Sequence, residues 1–173
     1  MGGFAHRSAA GLAAAALAAI LLSGCASSDV SKNAEITGEV QEALPTDVPA
    51  PSLVARAMWY PNSSGFRSTD ASTLGRASGV LALAGNQLWF LAWDNDEHHY
   101  DVLRTVDFLS AAGVRIDRLG PSALLVIESK NLGFDAFELM HGGAYTSDRA
   151  GTEALYAKLT ALRAANPQPA PPQ

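Results

Sequence analysis

Residues 79–93 read GVLALAGNQLWFLAW. The stretch holds two apolar runs, residues 79–84 and 87–93, separated by the pair Gly85-Asn86. Glycine and asparagine accept the positive φ angles of a two-residue hairpin turn, and apolar runs of this length are typical of strands. The stretch therefore predicts a β-hairpin, and the rest of the chain is expected to build on an antiparallel sheet.

Further short apolar runs follow the hairpin at regular spacing. Turn-prone residues divide these runs, among them Gly120-Pro121 and Lys130-Asn131. Runs this short and this evenly spaced predict an antiparallel meander. The predicted strands after the hairpin are 100–106, 112–116, 123–128 and 134–140, and residues 53–59 are expected to add one strand before it. The sequence predicts no conformation for the connection 60–78.

The pattern becomes helical near the C-terminus. Leu155, Leu159 and Leu162 are spaced by four and three residues, which places them on one side of a helix. Thr146 or Ser147 is suited to cap this helix, and an acidic residue at position 148 is favourable near the positive end of the helix dipole. The spacing predicts an amphipathic helix over 148–164 that packs on the sheet.

This order, strands first and one closing helix, resembles the pleckstrin-homology superfold and within it the GRAM domains. The segments that carry the resemblance are Gly79–Phe90, Val106–Phe108, Leu125–Ile127, Phe134–Phe137 and the final helix. The resemblance covers residues 52–165 and implies a mainly β fold, an antiparallel sheet or partly open barrel closed by one C-terminal helix. Ala84 stands where the family commonly has threonine. The alternative is a lipocalin-like or other small barrel, which would normally need more strands.

Composition limits the functions to consider. The chain has 173 residues, enough for one folded domain and few for two, and its hydrophobic content of 48% is that of a globular protein. Its net charge of -5 offers no basic surface that displaces counterions from phosphates, so we expect no nucleic-acid partner. The single cysteine, Cys25, excludes an intramolecular disulfide and a cysteine-rich metal site.

A lipoprotein signal peptide is predicted for residues 1–24. Its apolar stretch, Ala9–Leu22, would span about 21 Å as a helix, against about 30 Å of bilayer hydrocarbon. The sequence Leu22-Ser23-Gly24-Cys25 follows and resembles the lipobox of bacterial lipoproteins. This resemblance implies cleavage between Gly24 and Cys25 and a diacylglyceryl group on the Cys25 thiol. The alternatives are an ordinary signal peptide with a cysteine near its end and a short uncleaved anchor.

The lipid on Cys25 is expected to hold the protein at a membrane, since two acyl chains are sufficient for lasting attachment. In diderm lipoprotein families, aspartate after the cysteine favours retention in the inner membrane, whereas this chain has Ala26. The sequence therefore favours the periplasmic face of the outer membrane, and a monoderm origin stays open.

Two segments outside the predicted domain have the composition of unfolded chain. Residues 25–51 are rich in small, acidic and proline residues, which predicts a flexible tether. Within it, Ile36, Val40 and Leu44 are spaced by four, but so short a stripe predicts only a transient helix. Residues 166–173, NPQPAPPQ, predict a disordered proline-rich tail.

The hairpin also contains the residues for a surface that contacts a partner. Trp89 and Trp93 are four residues apart in a strand, so they share one face. We expect this face to be covered by the C-terminal helix or by the 60–78 connection, and the alternative is an exposed patch that binds a partner. The Gly85-Asn86 turn has no lysine or arginine beside it, which disfavours the lipid-headgroup binding known in the resembling family.

The polar residues 94–101, DNDEHHYD, raise the question of a metal site. A calcium loop of the EF-hand type needs an oxygen ligand and a glycine where His98 and His99 stand. Adjacent histidines in a strand point to opposite faces, which disfavours zinc. We therefore expect a solvated hairpin loop with no metal or other cofactor, and the alternative is a metal-dependent hydrolase that uses Asp96, His98 and His99.

Taken together, these patterns predict a lipid-anchored envelope protein whose domain binds a protein or peptide. No nucleotide-binding glycine motif occurs in the sequence, and no catalytic residue is predicted, so we do not expect an enzyme. The alternatives are the metal-dependent hydrolase and a structural component of the envelope.

Replacement of Cys25 tests the predicted anchor. Cys25→Ala removes the thiol that would carry the lipid, so we expect the variant to accumulate as an unlipidated precursor. The wild-type protein should begin at Cys25 and carry a diacyl adduct, which mass spectrometry of the membrane fraction measures. A wild-type protein that keeps Met1 and carries no lipid would contradict the prediction.

Overall fold

The computed structural model describes residues 30–61, 75–130, 133–141 and 146–167. The helices in these ranges are α1 (Val30–Ala43) and α2 (Arg149–Ala165). The strands are β1 (Leu53–Pro61), β2 (Ala77–Ala84), β3 (Gln87–Asp94), β4 (His99–Asp107), β5 (Gly113–Leu119), β6 (Ser122–Glu128), β7 (Phe134–His141) and β8 (Thr146–Ser147). Neither of these two helices is both long and apolar enough to span a bilayer.

The strands form an open antiparallel sheet. Its order is β4-β3-β2-β1-β7-β6-β5, and the short β8 pairs with β7 outside this path. The predicted mainly β fold, an antiparallel sheet with one C-terminal helix packed on it, is confirmed. The sheet is not closed into a barrel, since β4 and β5 are its two edges within the described residues.

Strand β1 joins the two halves of the sheet. Its residues Ala57, Met58 and Trp59 pair with β2 on one side and with β7 on the other. The partners of these residues are 77–79 in β2 and 137–139 in β7. Strands β1 and β7, about eighty residues apart in the sequence, are therefore neighbours in the sheet. This double pairing makes one sheet from two meanders.

The hairpin between β2 and β3 has the predicted two-residue turn. Gly85 has a φ of +57°, while Asn86 does not adopt a positive φ, which is the pattern of a type II′ turn. At the other end of the hairpin, a side chain on Gly79 would overlap the carbonyl oxygen of Leu91. Glycine at position 79 therefore permits the close approach of the two strands.

Alternate residues of the sheet enter cores on opposite faces. Leu81, Leu83, Leu88 and Phe90 pack with Leu155 and Leu159 of α2, and we call this side the α2 face. Val80, Ala82, Trp89 and Leu91 pack with Val40 and Leu44, and we call this side the α1 face. The sheet thus lies between two helices, each of which covers one apolar face.

Helix α2 is close to its predicted bounds, but its cap differs from the prediction. Asp148 is the N-cap, and its Oδ1 accepts a hydrogen bond from the backbone N–H of Gly151 at 2.8 Å. Thr146 and Ser147 cannot take this role because they form β8. Leu155 and Leu159 are buried and Leu162 is partly buried, as the stripe predicts.

A flexible tether was predicted for residues 25–51, but the described part of this segment, residues 30–51, contains helix α1. On the α1 face Val40 is fully buried, and Leu44, just after the helix, is 4% exposed. Ile36, Val40 and Leu44 form the apolar stripe that contacts the sheet. An isolated helix of this length is marginal in water, and burial of the stripe supplies the stability that the local sequence lacks.

Truncation of one buried leucine at each helix tests whether both helices dock. We expect Leu44→Ala and Leu159→Ala each to lower the free energy of unfolding by about 2–5 kcal/mol, because each removes a large buried side chain. Leu119 is 51% exposed, so Leu119→Ala is the matched control and should change stability by less than about 0.5 kcal/mol.

Urea unfolding of the full-length protein measures the three variants under the same conditions. If Leu44→Ala is as stable as the Leu119→Ala control, α1 is not docked. The same result for Leu159→Ala would contradict the packing of α2 on the sheet.

Candidate functional site

The two tryptophans predicted for a partner surface have different surroundings. Both belong to the α1 face, but Trp89 is 8% exposed and packs in the cluster beneath α1, whereas Trp93 is 40% exposed. Helix α1, and not the predicted α2, packs on this face, whereas residues 62–74 of the 60–78 connection lie outside the described residues. Trp89 is therefore a core residue, and only Trp93 stays available to a partner.

Trp93 lies near one edge of the sheet, and the neighbouring edge strand has further exposed apolar side chains. Its ring contacts Tyr100 edge to face, with 5.1 Å between centroids. Val102 and Leu103 of the edge strand β4 are 38% and 47% exposed. The register of β3 and β4 shifts between Phe90 and Leu91, and this irregularity leaves Leu103 without an opposite residue. We call Trp93, Val102 and Leu103 the edge patch.

Residues 94–101 form a hairpin turn that its own polar groups hold. Asp94 Oδ1 accepts hydrogen bonds from the backbone N–H groups of Asp96 and Glu97 at 2.7 and 3.0 Å. These bonds lower the pKa of Asp94. His98 closes the turn with a φ of +57°, and His99 begins β4. The geometry is that of a capped turn at the surface.

His99 is paired with carboxylates of its own strand and turn. Its Nε2 lies 3.0 Å from Asp101 Oδ1, and its Nδ1 lies 3.6 Å from Glu97 Oε2. The hydrogen bond with Asp101 raises the pKa of His99. Within the described residues, no group of three or more histidine, cysteine, aspartate or glutamate side chains is placed to hold a metal ion, and this includes Asp96, His98 and His99.

A buried carboxylate on the α2 face joins three strands. The Nε1–H of Trp59 donates to Asp135 Oδ1 at 2.9 Å, and Arg104 donates to Asp135 Oδ2 from two nitrogens at 3.1 and 2.7 Å. Asp135 is only 5% exposed, and these donors replace the water that burial removes. Because β4 and β7 are not neighbours in the sheet, the ion pair ties strands that no backbone hydrogen bond joins.

Two cavities lie beside Arg104. The larger, about 400 Å³, is lined by Trp59, Pro61, Arg104, Ser129, Gly133, Phe134 and Asp135. The smaller, about 240 Å³, lies between the end of β4 and the end of β6. Arg104 is already engaged with Asp135, so its guanidinium is less available to a ligand in either cavity.

A second buried carboxylate lies on the α1 face. Glu138 is 7% exposed, and the hydroxyl of Tyr60 donates to its Oε2 at 2.9 Å. The two residues line a cavity of about 400 Å³, which we call the Glu138 cavity. The other residues that line it are Met58, Arg76, Ser78, Ser122, Met140 and Ser147. Polar groups of both charges thus converge on one concave surface.

Burial and the neighbouring carboxylate of Glu138 both raise the pKa of Tyr60. Desolvation raises the pKa of Tyr60 to about 12, and the charge of Glu138 and their hydrogen bond act in the same direction. Arg76 lowers this pKa, but its effect is smaller. Tyr60 therefore stays protonated at neutral pH and remains a donor to Glu138.

Sequence patterns did not single out Asp135 or Glu138. Both lie in the apolar run Phe134–Met140, where an acidic residue is unusual in a buried strand. They are three residues apart, which places them on opposite faces of β7. Their occurrence inside an apolar run was the sequence signal that could have identified them as buried polar residues. Their hydrogen-bond partners belong to distant strands, so no local pattern predicts the pairs.

Cys25 and Gly24, the predicted lipid-attachment and cleavage residues, lie outside the described ranges, as do residues 168–173 of the predicted tail. No known family model matches the chain, and no curated protein sequence matches it significantly.

Removal of each partner of the buried ion pair tests its role. Arg104→Met leaves a buried carboxylate with Trp59 as its remaining donor, so we expect a loss of about 3–5 kcal/mol in the free energy of unfolding. Asp135→Asn leaves an arginine that is about half exposed and can be hydrated, so we expect a smaller loss. Urea unfolding measures the stability of both variants. A larger loss of stability in Asp135→Asn than in Arg104→Met would contradict the prediction.

Proposed function

We propose that the protein is a bacterial lipoprotein, anchored through lipid on Cys25 to the outer membrane at its periplasmic face, whose domain binds an envelope protein. The lipobox-like sequence Leu22–Cys25 supports the anchor. The antiparallel sheet with one C-terminal helix is the architecture that the resemblance to pleckstrin-homology and GRAM domains implies, and it supports a binding role by analogy. The proposal assigns no catalytic residue and no cofactor.

The anchor would lie close to the folded domain. Helix α1 begins at Val30, so only residues 26–29 separate it from Cys25. Five steps of fully extended chain reach at most about 18 Å. In this proposal the domain therefore works next to the membrane surface, because α1 belongs to the folded unit.

The edge patch is the observation that carries the proposed binding. The large apolar side chains exposed within the described ranges are Trp93, Val102, Leu103 and Leu119, and the first three belong to the adjacent strands β3 and β4. Such a concentration of apolar surface at one edge is typical of an interaction site. Tryptophan is also the residue that most often contributes a large share of the binding energy in an interface.

The shape of the edge favours docking through side chains over addition of a strand. The irregularity at Leu103 interrupts the regular spacing of backbone hydrogen-bonding groups along β4, and such bulges protect sheet edges from continuous pairing. The partner expected at the edge patch is thus a protein segment with an apolar anchor that packs against Trp93 and Leu103.

Site-directed photocrosslinking in intact cells tests this proposal. A photoreactive amino acid at position 103 of the full-length protein should give one discrete adduct with an envelope protein. Leu119 is the matched control position, since it is also an exposed leucine but lies at the opposite edge strand, β5. We expect no such adduct from position 119.

A second substitution connects the adduct with the edge patch. Trp93→Ser should reduce the adduct from position 103 about tenfold, the effect of losing a tryptophan contact of more than 1 kcal/mol. Immunoblotting of the irradiated cells measures the yield. Equal yields from positions 103 and 119, or an adduct that Trp93→Ser does not change, would contradict docking at the edge patch.

A further inference from the structure

The Glu138 cavity contains a buried carboxylate that is only partly satisfied. An ionised carboxylate offers about four acceptor positions. Glu138 is 7% exposed, and within the described chain it accepts one hydrogen bond, from Tyr60, and makes no ion pair. A buried charge with so few partners is costly unless a further donor reaches it. Glu138 is one of the residues that line this cavity.

The same cavity contains a charge of the opposite sign. Arg76 lines the cavity and is exposed, and it forms no hydrogen bond or ion pair with any residue that the structure describes. Its charge acts on Tyr60, the partner of Glu138, so the three groups share one electrostatic environment. The cavity thus presents a negative and a positive group that are not paired with each other.

Hydroxyl groups and apolar side chains complete the lining. Ser147 Oγ is buried and has no hydrogen-bond partner among the described residues. Ser78 and Ser122 contribute further hydroxyls, while Met58 and Met140 contribute apolar surface. A volume of about 400 Å³ is within the usual range of small-molecule sites. A small ligand with polar ends and an apolar body matches this lining.

We propose that the Glu138 cavity binds a small zwitterion of the amino-acid type, whose ammonium group contacts Glu138 and whose carboxylate contacts Arg76. The ammonium group supplies further donors to Glu138, and the carboxylate pairs with the Arg76 guanidinium. The methionines pack against the apolar part of the ligand, and the serine hydroxyls bond its remaining polar atoms. The site is independent of the edge patch and of the lipid anchor.

Three matched probes test the requirement for both charges. L-leucine carries both groups, L-leucinamide keeps only the ammonium group, and N-acetyl-L-leucine keeps only the carboxylate. Calorimetric titration of the full-length protein at pH 7 should show saturable binding of leucine. Each of the other two probes should bind about tenfold or more weakly, because each loses one charge-assisted hydrogen-bonding group. Equal binding of leucine and leucinamide would overturn the role of Arg76.

Two variants separate a direct contact from a structural effect. Arg76→Gln should weaken the binding of leucine about tenfold and leave the binding of leucinamide unchanged, because leucinamide does not contact the guanidinium. Glu138→Gln should weaken the binding of leucine by a similar factor and leave the binding of N-acetyl-leucine unchanged. Glu153→Gln removes a carboxylate at the surface of α2 and is the control that should bind all three probes like the wild type.

The probe series on the wild-type protein decides the proposal even where a variant fails to fold. Absence of saturable leucine binding to the wild type would overturn it, as would loss of all three affinities in both variants. If the wild-type protein binds none of the probes, the expected partner of Glu138 is Arg76 itself, whose side chain would turn inward and donate to the carboxylate.

Discussion

Strand β1 is the element on which the rest of the structure depends, because among the described strands it alone joins β2–β4 to β5–β7 in one sheet. Ala57, Met58 and Trp59 pair on both sides, so the centre of the sheet is hydrogen-bonded without interruption. Without this strand the described sheet would divide into two three-stranded meanders, β2–β4 and β5–β7. Strand β1 also contributes a hydrogen-bond donor to each buried carboxylate of β7. Trp59 donates to Asp135 on the α2 face, and Tyr60 donates to Glu138 on the α1 face.

A central sheet that is apolar on both faces needs a cover on each of them. Leu81 and Leu83 of β2 pack on the side of α2, while Val80 and Ala82 pack on the side of α1. This demand explains why α1, whose sequence is only weakly amphipathic, belongs to the domain. The folded unit therefore includes α1, and in the proposed lipoprotein the link to the lipid is correspondingly short.

The two buried carboxylates of β7 differ in how completely the protein satisfies them. Asp135 accepts three hydrogen bonds and pairs with a guanidinium, so it has the character of a structural ion pair. Glu138 accepts one hydrogen bond from the residues that the structure describes, and it lines a cavity. A buried polar group that the protein satisfies only in part is a natural place for a ligand to bind. The same strand thus contributes to folding on one face and offers a polar surface on the other.

The sequence by itself determined the local elements, because the turn at Gly85-Asn86 and the stripe of Leu155 and Leu159 follow from nearby residues. Tertiary structure alone decided what covers each face. Trp89 and Trp93 have the same strand parity, yet α1 buries only the first. Trp59 and Asp135 meet across 76 residues of sequence, a contact that no local period contains. Strand alternation assigns a side chain to a face, whereas its burial and its partners depend on elements that reach that face from elsewhere in the chain.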